Sequence, residues 1–126
     1  MAAELILVVD DTPANLRLAE FLLKGAGFTV HTASGADELR SVLAKVRPVL
    51  ILMDLQLPGV DGFTLTRQLR ADPETRDVRI VAMTAYAMTG DEARARDAGC
   101  DDYLAKPIDP ITFAGTVRRY LRPVAR

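Results

Sequence analysis

The chain has 126 residues, 49% of them apolar and 26% charged, with a net charge of −1. That length and balance suit a single soluble globular domain over residues 1–126, and the charge gives no general case for direct nucleic-acid binding. No apolar run approaches the length of a membrane span, no signal peptide follows Met1, and the lone Cys100 excludes an internal disulfide, so a cytoplasmic protein without membrane insertion is expected.

The first apolar run, Leu5-Ile6-Leu7-Val8-Val9, reads as a strand and ends at Asp10-Asp11. Thr12 is expected to cap a helix with Pro13 at its first position. Its apolar face is Leu16, Ala19, Leu22, Leu23 and Ala26, with Gly25 and Gly27 at its end. Thr29 to Ala33 alternates as an edge strand does. Ser34 is expected to cap a second helix with Leu39, Val42, Leu43 and Val46 on one face, stopped by Pro48. The run Val49 to Met53 is the third strand and ends in Asp54; Leu57-Pro58-Gly59 is a loop. Asp61 caps a third helix carrying Phe63, Leu65 and Leu69, which Asp72-Pro73 ends.

A fourth strand from Val78 through Met83 ends in Thr84. Thr89-Gly90-Asp91-Glu92 has capping-box spacing for a fourth helix to about Gly99, rich in Ala and Arg and expected to pack lightly. A short fifth strand, about Asp102 to Ala105, leads to Lys106-Pro107. Asp109-Pro110 starts the last helix, with Ile111, Phe113, Val117, Tyr120 and Leu121 as its apolar positions. Arg118, Arg119, Arg122 and Arg126 read as a solvated cluster that complements the helix dipole. There is no repeat, low-complexity segment or linker.

Five strand–helix alternations imply an α/β fold with a parallel sheet. The mostly apolar first, third and fourth strands suit central positions covered on both faces; the second and fifth look like edges. With right-handed crossovers the simplest arrangement is a flavodoxin-like (βα)5 three-layer sandwich of strand order 2-1-3-4-5. Its switch point lies between strands 1 and 3, where Asp10, Asp11 and Asp54 converge. Three carboxylates repel one another unless a cation sits among them, and an all-oxygen set suits Mg²⁺. An Asp carboxylate can attack phosphorus to form an aspartyl phosphate, which needs charge neutralisation and alignment rather than a general base. Lys106 would supply charge and the Thr84 hydroxyl a hydrogen bond.

These residues carry a resemblance. The acidic pair Asp10-Asp11, the Asp54 acceptor, Thr84, Lys106-Pro107 and the Leu57-Pro58-Gly59-x-Asp61-Gly62 loop stand in the order and spacing of the receiver domain of two-component response regulators. The chain resembles that family, in its CheY-like form, over nearly all its length. The resemblance implies that Asp54 takes a phosphoryl group from a phosphohistidine, on a histidine kinase or histidine phosphotransfer protein. It implies that Asp11 ligates Mg²⁺ directly, Asp10 mainly through water, and the backbone carbonyl of Gln56 as a further ligand. Lys106 would pair with the phosphoryl group, Thr84 would move toward it, and Tyr103 would be the switch aromatic. Gln56 and Tyr86 would tune phosphoryl lifetime, and the Lys106-Pro107 bond is expected to be cis.

The expected protein is therefore a phosphorylation-driven switch, not an enzyme beyond slow self-dephosphorylation, which acts either on a downstream effector bound around the fourth helix, fifth strand and fifth helix or as a phosphorelay intermediate. It is read as a whole protein without an output domain. A receiver excised from a hybrid histidine kinase is the alternative within the family. A haloacid-dehalogenase-like phosphatase also uses a strand-end Asp and Mg²⁺, but wants Asp-x-Asp where this chain has adjacent acids. A flavodoxin-like electron carrier would need a phosphate-cradling loop in place of Asp10-Asp11-Thr12-Pro13. His31 reads as surface, Cys100 as a small buried residue, and Met83 and Met88 as packing.

Overall fold

A computed structural model describes residues 4–57, 59–84 and 91–121. Along the chain run β1 (Leu5–Val9), α1 (Pro13–Gly25), β2 (Thr29–Ala33), α2 (Ala36–Leu43), β3 (Leu50–Asp54), α3 (Gly62–Ala71), β4 (Arg79–Thr84), α4 (Asp91–Ala98), β5 (Asp102–Ala105) and α5 (Phe113–Tyr120). The five strands form one parallel sheet in the order β2-β1-β3-β4-β5, as the hydrophobic patterning predicts.

The reason is visible in the alternation of side chains along the central strands. Leu7, Val9, Ile51, Met53, Ile80 and Ala82 point to one face, where Leu39 of α2, Leu65 and Leu69 of α3, and Ala95 and Ala98 of α4 cover them. Ile6, Val8, Leu50, Leu52, Val81 and Met83 point to the other, beneath Ala19 and Leu23 of α1 and Phe113 and Val117 of α5. Both faces are buried, so these strands read as unbroken apolar runs. The edge strand β2 keeps His31 exposed, and Cys100 is buried, both as expected.

Several local details differ from the sequence reading. Thr12 occupies the N-cap of α1, but its side chain makes no capping bond. Oδ1 of Asp10 instead accepts the Thr12 N–H at 2.9 Å, so the buried carboxylate shapes the turn into α1. Gly35, not Ser34, precedes α2; Ser34 N–H and Oγ both donate to Oε1 of Glu38, a contact that points back along the helix. That helix ends at Leu43, short of Val46 and Pro48. The last helix begins at Phe113 rather than at Asp109-Pro110. Asp109 instead organises the turn before it, with Oδ1 accepting the Ile111 N–H at 2.9 Å, and Ile111 is 92% exposed rather than part of the core. Asp61 caps α3 as predicted, accepting the Thr64 N–H at 2.8 Å. The Thr89-Gly90 part of the predicted capping box, Tyr86, Met88 and Arg122 to Arg126 lie outside the described residues.

Candidate functional site

Parallel register brings the site together at the strand C-termini. Val9 lies opposite Met53, which makes Asp10 and Asp54 the next pair across β1 and β3. Asp54 lies opposite Met83, one residue before Thr84, and Thr84 lies opposite Ala105, one residue before Lys106. Four of the predicted residues thus meet because four strands end at the same level.

Asp10 and Asp54 are each only 1% exposed, whereas Asp11 is open to solvent. Carboxylate oxygens of Asp10, Asp11 and Asp54 all lie within 4.8 Å of one another. The Nζ of Lys106 stands 2.9 Å from Oδ2 of Asp10 and 3.0 Å from Oδ2 of Asp54. Burial raises the Asp54 carboxyl above the ordinary carboxylate range and the Asp10 charge adds to this, against hydrogen bonds from the Gln56 N–H and Lys106. For Lys106, burial works to lower the ammonium, but the hydrogen bonds it donates to Asp10 and Asp54 outweigh this and hold it above the usual lysine range. The ammonium is therefore a fixed positive charge between two buried carboxylates.

The remaining lone pairs are satisfied locally. Oδ1 of Asp54 accepts the Gln56 N–H at 3.0 Å, and Oδ2 of Asp10 accepts Nδ2 of Asn15 at 3.2 Å. The Gln56 side chain donates from Nε2 to Oγ1 of Thr84 at 3.1 Å. Beside the ammonium, a hollow of about 390 Å³ is lined by Asn15, Lys106, Pro107 and Ile108. The Lys106-Pro107 peptide is cis, as the resemblance implies. Three carboxylates with only oxygen donors fit a hard divalent cation such as Mg²⁺.

Asp10, Asp11, Asp54, Gln56, Thr84 and Lys106 are thus brought together. Tyr103 stands apart on β5; it is half-buried and packs against the α2–α4 side of the core. Sequence reasoning missed Asn15, whose one signal is a polar side chain in the first turn of α1. It also gave no role to Gly62. A Cβ at Gly62 would overlap the backbone oxygen of Asp54 and lie 2.8 Å from Cα of Leu55, so α3 can approach the acceptor loop only through a glycine.

Comparison with known proteins supplies the family. The profile of the response regulator receiver domain matches residues 6–118. The chain is 40% identical over 117 residues to the polar-differentiation response regulator DivK of Brucella anthropi, an alignment covering 92% of this chain and 94% of that protein. Among solved structures, the chemotaxis protein CheY4 of Vibrio cholerae superposes with a TM-score of 0.88 at 25% identity, covering 94% of this chain and 99% of that one. The receiver domain of the sensor histidine kinase PA1611 of Pseudomonas aeruginosa, which has a magnesium ion coordinated in its active-site cleft, gives 0.84 at 35% identity, covering 95% of this chain and 98% of that one. With its acidic cluster, buried strand-end Asp54 and Lys106 on one sheet edge, the chain belongs to the response regulator receiver domain family.

Proposed function

We propose that this chain is a phosphoryl-accepting signalling switch in which Asp54 is the acceptor. The observation that carries the reading is the Lys106 ammonium between the buried carboxylates of Asp10 and Asp54, with Asp11 beside them. A carboxylate oxygen of Asp54 attacks the phosphorus of a phosphohistidine on a histidine kinase or histidine phosphotransfer protein. The new O–P bond forms as the P–N bond to the imidazole breaks, and the imidazole leaves with that electron pair. Lys106 neutralises charge on the phosphoryl oxygens, and the hollow beside it gives the donor a line of approach. Asp10, Asp11 and Asp54, with the backbone carbonyl of Gln56, would hold Mg²⁺, which when bound supplies further positive charge to those oxygens. The magnesium ion in the cleft of the PA1611 receiver supports this choice of metal.

Once phosphorylated, Asp54 carries added negative charge and strong acceptor oxygens. Thr84 at the end of β4 and Lys106 just past β5 are the groups able to answer it. Thr84 with Tyr103 is the bistable element, and α4, β5 and α5 are the surface on which a cytoplasmic effector reads the state. Gln56 and Tyr86, two residues beyond Asp54 and Thr84, set phosphoryl lifetime. Beryllofluoride, a phosphoryl mimic, tests the reading through backbone amide shifts. The expected result is large shifts at Thr84, α4, β5 and α5; changes confined to α1 and α2 would overturn the output assignment.

A further inference from the structure

Gln56 touches two groups of the site at once. Its backbone N–H donates to Oδ1 of Asp54, and its side-chain amide donates to Oγ1 of Thr84. A single residue of the loop after β3 therefore spans from the acceptor to the hydroxyl at the end of β4. The two ends of the second bond differ in surroundings: Gln56 is exposed, whereas Thr84 is fully buried. On release the amide finds water at once. The buried hydroxyl loses a partner unless another polar group takes its place.

We infer that Gln56 is a positioning residue whose amide latches Thr84 in the resting arrangement, so that the side chain at position 56 sets how readily the site takes up a phosphoryl group. The inference rests on the roles proposed above for Asp54 and Thr84. Thr84 is β-branched, and its hydroxyl is redirected by whole rotamer steps. A step toward an oxygen carried on Asp54 takes Oγ1 away from the Gln56 amide. The resting bond is exchanged for the new one, and a side chain at 56 that cannot donate removes the resting bond alone. This acts on the balance between resting and activated arrangements. It is separate from any effect of the same side chain on the approach of water to a phosphoryl group, which changes a rate and not that balance.

A double-mutant cycle read as affinity for beryllofluoride in the presence of Mg²⁺ tests the latch. Gln56→Leu keeps bulk and loses the donor; Gln56→Ala loses both. Each is expected to tighten binding roughly two- to tenfold, the equilibrium effect of one neutral hydrogen bond. Neither is expected to change affinity when combined with Thr84→Ala, or with Thr84→Val as a second form of the same deletion. Unchanged or weakened binding in the single variants, or the same gain with and without the Thr84 hydroxyl, would overturn the latch while leaving Asp54 as acceptor. Failure of the unsubstituted chain to bind beryllofluoride would overturn the acceptor assignment and the latch together.

Discussion

Gly62 decides how closely α3 can lie against the backbone that carries Asp54. The atoms a side chain would strike there are backbone atoms of Asp54 and Leu55, which have no rotamer to escape into. Gly62→Ala should therefore destabilise the fold by about 1–3 kcal/mol, the usual range for forcing extra atoms into a packed site. Urea unfolding followed by circular dichroism measures this, and an unchanged midpoint would contradict the close approach. The same scale shows what a sequence hides. Asp54 and Lys106 were legible because a charged residue at the end of an apolar run has few structural uses. The Gln56–Thr84 bond joins residues 28 apart in sequence, and nothing in either residue type announces it. Thr12 looked the better helix cap by preference, yet Asp10 makes the local bond because its buried carboxylate must find donors.

Among the helices, α4 is held differently from its neighbours. Its buried side chains among the described residues are Ala95 and Ala98, so little apolar surface ties it to the sheet. Arg94 adds a contact over the Phe63 ring at 4.4 Å. The C-terminal end is firmer. Arg70 of α3 donates to the Gly99 and Arg76 carbonyls, each at 2.8 Å, and to Oδ2 of Asp101 at 2.8 Å, which also accepts the Ile80 N–H at 2.9 Å. Cys100 sits inside this clasp, 3.7 Å from Oγ1 of Thr66. Burial raises its thiol above the usual range, against the Thr66 contact and the nearby Arg70 charge. Because the folded thiol resists ionisation more than the unfolded one, the folded chain binds more protons. Stability is then lost as pH rises through the ordinary thiol range, about 8.5. Melting scans between neutral pH and pH about 10 should show Cys100→Ser losing less stability than the unsubstituted chain over that window; parallel losses would contradict the buried-thiol account. The light packing of α4 was readable from its Ala-rich sequence. The Arg70 clasp was not, since it depends on the α3 end meeting the α4–β5 turn.

At the scale of the whole molecule, the fold follows from one pattern repeated. Three central strands buried on both faces fix the sheet order, and parallel register then delivers Asp10, Asp54, Thr84 and Lys106 to one edge. This much was legible because two-sided burial writes itself as unbroken apolar runs. The misplacements fall at element ends, at Ser34, Val46 and Ile111, where short turns and local side-chain bonds override periodicity. The function proposed for the molecule depends on this edge accepting a phosphoryl group, with a carboxylate oxygen of Asp54 as the attacking atom. Intact mass after incubation with acetyl phosphate and Mg²⁺ tests that most directly. The account predicts the mass increase of one phosphoryl group, lost on chelating Mg²⁺ before the reaction and absent from Asp54→Asn. An undiminished increase in Asp54→Asn, or continuous release of phosphate from the ester with no mass increase on the chain, would contradict it.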